Sequence, residues 1–321
     1  MYQTRTDLAL EIHEMLTEAA EEISGVTLKQ EEKEGAKISR VHIETLRAQA
    51  KMGKPIGHYI TIEFPDMNIA EGEEYEALCR IVGKELQALL PLKDKANVLV
   101  VGLGNWNITP DSLGPKAISK LMVTRHLLQY IPDQIDEGIR PVCAISPGVL
   151  GITGMETSEI IKGVTNAIKP DAIIVIDALA ARSMDRISTT IQLCDTGISP
   201  GAGVGNQRKA LDKSSLGVPV IAIGVPTVID AATITADTLQ MAAQSEEVEA
   251  NQELCEALSK MDEEEQYSML RAALPESLNG FIVTPKDVDL LIDRVAQVVA
   301  NGINLAMHKN ISFQDIAAYT S

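Results

Sequence analysis

Two aspartates stand where dense apolar runs give way. Asp111 closes NVLVVGLGNWNITPD, and Asp177 follows AIIVI in DAIIVIDALAAR. Runs of Val, Ile and Leu this dense read as strands buried on both faces. In open α/β sheets, chemistry gathers beyond the carboxyl ends of such strands. Two carboxylates delivered there from different strands can share a proton and activate a water. Asp177, followed by Ala178, Leu179, Ala180 and Ala181, is expected to be partly desolvated, which raises a carboxyl pKa. A nearby Asp111 would split the titration of the pair by repulsion. Taken alone, Asp111 ahead of Pro115 reads as a helix cap.

The other motifs are weaker. VGLGN (Val101 to Asn105) opens like a dinucleotide fingerprint, but its third glycine would fall at Asn107, and Pro110 stands where the helix should run. Its glycines instead suit a tight turn beside another element. Asp195-Thr196-Gly197 matches the D-T-G of all-β aspartic proteases, yet occurs once in an α/β pattern, so Asp195 is expected in a turn. SPGAGVGNQRK (Ser199 to Lys209) lacks the G-K-[ST] of a P-loop. Its Gly201, Gly203, Gly205 and Asn206 are candidate substrate-binding residues, through close backbone approach and N–H donation. Asp230, in VPTVIDAATIT, is a third carboxylate near a strand end, either a cap or an orienting group. The five histidines show no i, i+4 pair and no H-E-x-x-H, and there is no G-x-S-x-G elbow, which disfavours zinc-protease and serine-hydrolase chemistry.

The elements that must position these residues begin with a helical pattern over Leu8–Ile23. Candidate strands follow at Lys37–Leu46 and His58–Phe64, then an amphipathic helix over Glu71–Leu90. From Asn97 strands and helices alternate: strands at Val98–Val101, Pro141–Ser146, Ala172–Ile176, Thr190–Cys194 and Val218–Gly224, helices at Pro115–Tyr130 and Thr157–Ile168. Such alternation predicts an α/β fold with a mostly parallel twisted sheet, helices on both faces and a small N-terminal β-rich layer. Gln244–Leu274 is Glu-rich and predicts exposed helices. Gly280–Met307 reads as a strand and a helix, with Thr284 as N-cap and Pro285 at the first helical position. One domain is expected over residues 8–321, divided into an N-terminal subregion (8–96), a catalytic core (97–240), an acidic helical insertion (241–279) and a C-terminal strand and helix (280–321).

Composition narrows the function. The chain has 321 residues and a formal net charge of −17, with aromatics at 3%, which argues against nucleic-acid or anionic-membrane binding. Four scattered cysteines without CxxC spacing point away from a disulfide framework or zinc site. No signal peptide or apolar run of spanning length is evident, and a cytoplasmic protein is expected.

GLGNWNITPDSLGPKA, ISPGVLGITGMETSEII, IVIDALAARSMDRI, GISPGAGVGNQRK, GVPVIAIGVPTVIDAATIT and FIVTPKDVDLLIDRVA, in this order, together with the N-terminal TRTDLALE, resemble the germination protease family of endospore-forming bacteria. The resemblance implies an atypical aspartic endopeptidase that starts degradation of small acid-soluble spore proteins in the spore core. It implies a homotetramer made in the forespore as a self-processing zymogen, and a fold shared with hydrogenase maturation endopeptidases, where a similar GxGN turn precedes the first acidic residue. No cofactor or metal is expected. The family's two catalytic aspartates fall on Asp111 and Asp177. Its processing site falls on TRTDLALE, with the cut between Asp7 and Leu8 and a short prosegment, residues 1–7. Two other readings are a metal-dependent maturation-type endopeptidase, for which no partnering His can be placed beside the two aspartates, and a non-catalytic binding protein on the same fold.

Overall fold

A computed structural model describes residues 6–18, 23–65, 72–201, 208–231, 233–235, 238 and 281–320. Its strands are β1 (Val26–Lys33), β2 (Ala36–Ile43), β3 (Gly57–Glu63), β4 (Val98–Gly102), β5 (Val142–Ile145), β6 (Ala172–Ala181), β7 (Thr190–Cys194), β8 (Val220–Asp230) and β9 (Ile282–Val283). They form one nine-stranded sheet in the order β1-β2-β3-β7-β8-β6-β4-β5, with β9 also paired to β8. Strands β8, β6 and β4 and the edge strand β5 are mutually parallel. Of these, β4, β6 and β8 carry the continuous apolar runs that burial on both faces demands. The β-rich N-terminal region extends this core in the same sheet, through antiparallel pairing of β7 with β8 and β3, then β2 and β1.

The described helices are α1 (Ala9–Glu18), α2 (Leu46–Met52), α3 (Glu73–Leu89), α4 (Leu113–Ser119), α5 (Arg125–Tyr130), α6 (Leu150–Thr153), α7 (Thr157–Ile168), α8 (Lys213–Leu216), α9 (Val288–Met307) and α10 (Phe313–Thr320). One sheet face packs Ile174, Ile176 and Ile223 against Leu78, Val82 and Leu86 of α3 and Val295, Val299 and Ile303 of α9. The opposite face packs Val101 and Val175 with Ile161 of α7, and Val41, Tyr59 and Ala222 with Leu10 of α1 and Met52 of α2. The alternation of odd and even positions along β6 separates the two cores. Among the described residues no helix is long and apolar enough to cross a membrane.

Several elements depart from the sequence reading: β1 and α2 have no counterpart there, and α2 begins at Leu46, inside the expected strand Lys37–Leu46. The helix expected over Pro115–Tyr130 breaks after Ser119 and resumes at Arg125. Between them Met122 gives its N–H to Asn304 Oδ1 at 3.0 Å, and Thr124 exchanges bonds with Val142 at the start of β5. That backbone is committed to long-range partners and cannot close helical turns. The last long helix begins at Val288 with Asp287 at its N-cap. Thr284 donates its hydroxyl to the Thr227 carbonyl at 2.9 Å, so it continues the attachment of β9 to β8 and does not cap. Strand β6 runs five residues past Ile176, because β8 stays alongside it through a bulge between Leu179 and Ala180. The acidic insertion at 241–279 lies outside the described residues.

Candidate active site

Asp177 lies inside β6, not beyond its end. It stands one residue past the point where β4 leaves: Gly102, the last residue of β4, pairs with Ile176, and Leu103 N–H closes the ladder on the Ile176 carbonyl at 2.8 Å. The departure of β4 opens one edge of β6 at the carboxyl side of the parallel core. Asp177 remains only 6% exposed, and its Oδ1 accepts from the Ala178 N–H at 3.0 Å. Across β8, Gly224 is in register with both Asp177 and Gln192 of β7. The three residues therefore form a row on one face of the sheet, and the middle one has no side chain.

Asp111 arrives from the adjacent loop. It ends a 3₁₀ turn, Thr109–Asp111, and is half-buried. The Asn105 N–H donates to its Oδ2 at 2.8 Å and to its backbone carbonyl at 3.0 Å. Gly104 makes this possible: its φ is +113°, and a Cβ there would stand 1.9 Å from the Asp111 carbonyl oxygen. The VGLGN glycine thus serves the docking of Asp111. The cap reading of Asp111 is corrected, since Ser112 occupies the N-cap of α4 and the Asp111 carboxylate is turned to Asn105.

Burial raises the pKa of Asp111, opposed by the Asn105 N–H and by the charge of Arg208. Asp177 is pushed well above the ordinary carboxylate value, first by burial, then by the neighbouring charges of Asp111 and Asp7. Three carboxylates thus converge on this part of the sheet, and the deepest is the one that favours the protonated form.

The third carboxylate belongs to an N-terminal segment held between Ala180 of β6 and Gln192 of β7. Asp7 donates its N–H to the Ala180 carbonyl at 3.0 Å, and its Oδ2 accepts from the Ala180 N–H at 3.0 Å. The Asp7 carbonyl oxygen accepts from Lys54 Nζ at 3.0 Å and Gln192 Nε2 at 3.2 Å. Gln192 Oε1 accepts from the Ala9 N–H at 2.8 Å. Leu8 is fully buried among Leu179, Ala181, Ile187 and Ile229. Beyond it, the Glu11 carboxylate, 2% exposed, accepts from the N–H groups of Arg182 and Ser183 at 2.8 and 3.0 Å and pairs with Arg186 at 3.6 Å. Thr6 does not cap α1: its hydroxyl donates to Glu11 and accepts from the Leu8 N–H. A cavity of about 180 Å³ adjoins the segment, lined by Asp7, Lys54, Leu179, Gln192 and Gly224 among others.

Of the remaining expected site residues, Gly201 is described, with φ +74°, while Gly203, Gly205 and Asn206 lie outside the described residues. The basic end of their loop reaches the site through Arg208, whose charge acts on Asp111. Asp195 holds a turn, as expected, accepting from the His58 N–H at 2.8 Å. Asp230 ends β8 opposite Ile282. Lys54, Gln192 and Arg208 escaped the sequence reading. The one available signal was Gln192, a polar residue inside the apolar strand Thr190–Cys194. Among the described residues no group of three or more His, Cys, Asp or Glu side chains is arranged to hold a metal ion.

Carboxylates gathered against a bound backbone segment are the equipment of a hydrolase acting on peptides. A family model described as germination protease matches residues 5–245 and 242–320. Germination proteases of Clostridium tetani and Caldanaerobacter subterraneus are 50% and 48% identical to the chain, covering 98% and 97% of it and 98% and 96% of their own lengths. That of Bacillus mycoides is 42% identical, covering 99% of the chain and 97% of its own length. A [NiFe] hydrogenase maturation protease from Thermococcus kodakarensis is a remote structural neighbour, at 18% identity and a TM-score of 0.30 over 44% of this chain and 80% of its own. The chain belongs to the germination protease family, and it is a peptidase of that family.

Proposed function

We propose that this peptidase is an aspartic endopeptidase in which Asp111 and Asp177 activate a water between them. The observation that carries the reading is the position of Asp177: buried in β6, within range of the charge of Asp111, on the strand that holds the N-terminal segment at Ala180. Asp177, pushed furthest toward the protonated form, is the acid. Asp111, relieved by the Asn105 N–H and Arg208, is the base that takes the water's proton. The carbonyl under attack gains a tetrahedral carbon, and the departing amine receives a proton from Asp177.

In this reading the docked segment is the chain's own processing site, with the cut at Asp7–Leu8. The chain is made as a zymogen whose residues 1–7 are removed by self-processing. The substrates are small acid-soluble spore proteins, met in the forespore and spore core during germination, and the working form is a homotetramer. The segment around Gly201 to Asn206 contributes to holding substrate from the Arg208 side. Support comes from the family membership and from the docking of the segment Thr6 to Glu11 on β6 and β7, with Asp7 in range of the charge of Asp177. The test compares Asp111→Asn and Asp177→Asn with the unaltered chain on purified spore-protein substrate. Cleavage by either variant at the unaltered rate would rule out the two-carboxylate mechanism.

A further inference from the structure

We propose that Lys54 and Gln192 form the oxyanion-stabilising pair of this peptidase, gripping the carbonyl oxygen of the bond to be cut. The inference rests on the reading of Asp7–Leu8 as the processed bond. The carbonyl of that bond is the Asp7 carbonyl, and both groups donate to its oxygen, Lys54 Nζ at 3.0 Å and Gln192 Nε2 at 3.2 Å. They come from different elements, the turn after α2 and strand β7, so their convergence on one oxygen is a product of the fold. Gln192 also spans the bond: its amide nitrogen holds the carbonyl of residue 7, and its amide oxygen holds the N–H of residue 9 at 2.8 Å. The Leu8 side chain is locked in an apolar pocket. The bond is therefore fixed on both sides, with the oxygen turned to the two donors and the Asp7 carboxylate held at Ala180, close enough to Asp177 for their charges to interact.

The arrangement supplies what two carboxylates lack. When water oxygen bonds to the Asp7 carbonyl carbon, the π electrons move onto the carbonyl oxygen. A negative charge forms there, in the same residue as the Asp7 carboxylate that repels it. An ammonium and an amide N–H aimed at that oxygen offset the repulsion and polarise the carbonyl beforehand. The water's proton passes to a carboxylate. The C–N bond then breaks, the oxygen's electrons return to the carbonyl, and the Leu8 nitrogen leaves with a proton from the second carboxyl. The atoms balance without a co-reactant.

The full-length chain carries its own substrate, so the first-order loss of residues 1–7, followed by intact mass, is the assay. Lys54→Met and Gln192→Glu (the latter keeping an acceptor for Ala9 while removing the donor to Asp7) are expected to slow cleavage by about 10²-fold or more each. Lys54→Arg, which retains a charged donor, is expected to recover most of the rate. Melting temperatures close to the unaltered chain's would exclude a general loss of structure. If Lys54→Met fails to fold, Gln192→Glu decides. Folded Lys54→Met or Gln192→Glu processing at the unaltered rate while Asp177→Asn stays uncut overturns the oxyanion pair and leaves the two-carboxylate reading standing. Asp177→Asn cut normally, or a cut at another bond in the unaltered chain, overturns the underlying reading itself.

Discussion

Asp177 and Gln192 share a single partner: both are in register with Gly224, one from each side of β8. Strands lie about 4.8 Å apart in a sheet, so the two residues stand about two strand spacings apart, and the Leu179 side chain fills the space over the glycine between them. The N-terminal segment rests on that leucine through Leu8 and meets the Gln192 amide through the Asp7 carbonyl. That relationship, more than any single motif, defines where catalysis is to be sought.

The mutational consequence is direct. Asp177→Asn and Asp111→Asn are expected to lower the rate of peptide cleavage by about 10²- to 10⁴-fold, the usual worth of general acid–base catalysis. Chelators such as EDTA are expected to leave the unaltered rate intact. Strong inhibition by chelator, reversed by added metal, would return the metal-dependent maturation chemistry to contention.

Stability should respond to pH through Asp177. A carboxyl whose pKa is raised by folding keeps a proton that the unfolded chain has released. Its effect is most favourable at acid pH and is lost as pH rises from the ordinary carboxylate range through the raised value. Asp177→Asn removes that loss while keeping an acceptor for the Ala178 N–H. Thermal melts should therefore show the variant more stable than the unaltered chain at neutral pH, with the gap closing on acidification. A gap that widened toward acid would contradict the raised pKa.

Arg186 is the counter-charge of the N-terminal segment. It pairs with Glu11 at 3.6 Å, Glu14 at 2.7 Å and Glu63 at 3.0 Å. Arg186→Met leaves Glu11 buried without that cation, and urea unfolding should show a loss of about 3–5 kcal/mol, the cost of breaking a buried pair from one side. An effect under about 1 kcal/mol would place the network in the class of weak surface pairs.

Gly104→Ala should strike Asp111 without touching it. A side chain at φ +113° is strained, and its Cβ would collide with the Asp111 carbonyl. A stability loss of about 1–3 kcal/mol from the strained backbone, together with a fall in cleavage rate, is the expected outcome. Unchanged activity at reduced stability would mean that Asp111 need not be held by the Asn105 N–H.

Much of this was legible in the chain. The apolar runs announced β4, β6 and β8 because strands buried on both faces tolerate little else, and Asp177 stood out as a charge in such a run. The turn made by Gly104 was readable as a close approach, though not what approached. Lys54 and Gln192 were out of reach: the bonds to Asp7 join residues 47 and 185 positions apart, and no local pattern records such pairing. The length of β6 was hidden for a similar reason, since it depends on β8 remaining beside it. Asp111 misled because a carboxylate before a helix ordinarily caps it, and only the folded turn shows the side chain facing Asn105.

The N-terminal segment is anchored on both sides of Asp7–Leu8, upstream through the bonds of Asp7 to Ala180, Lys54 and Gln192. Leu8 in its pocket, the Ala9 bond to Gln192 and the Glu11 carboxylate at Arg182 and Ser183 all lie downstream. A cut at this bond would leave both new ends moored, the Asp7 end at Ala180, Lys54 and Gln192 and the Leu8 end in its apolar pocket. Maturation would then need a second event, the withdrawal of both ends, before a foreign chain could take the same berth.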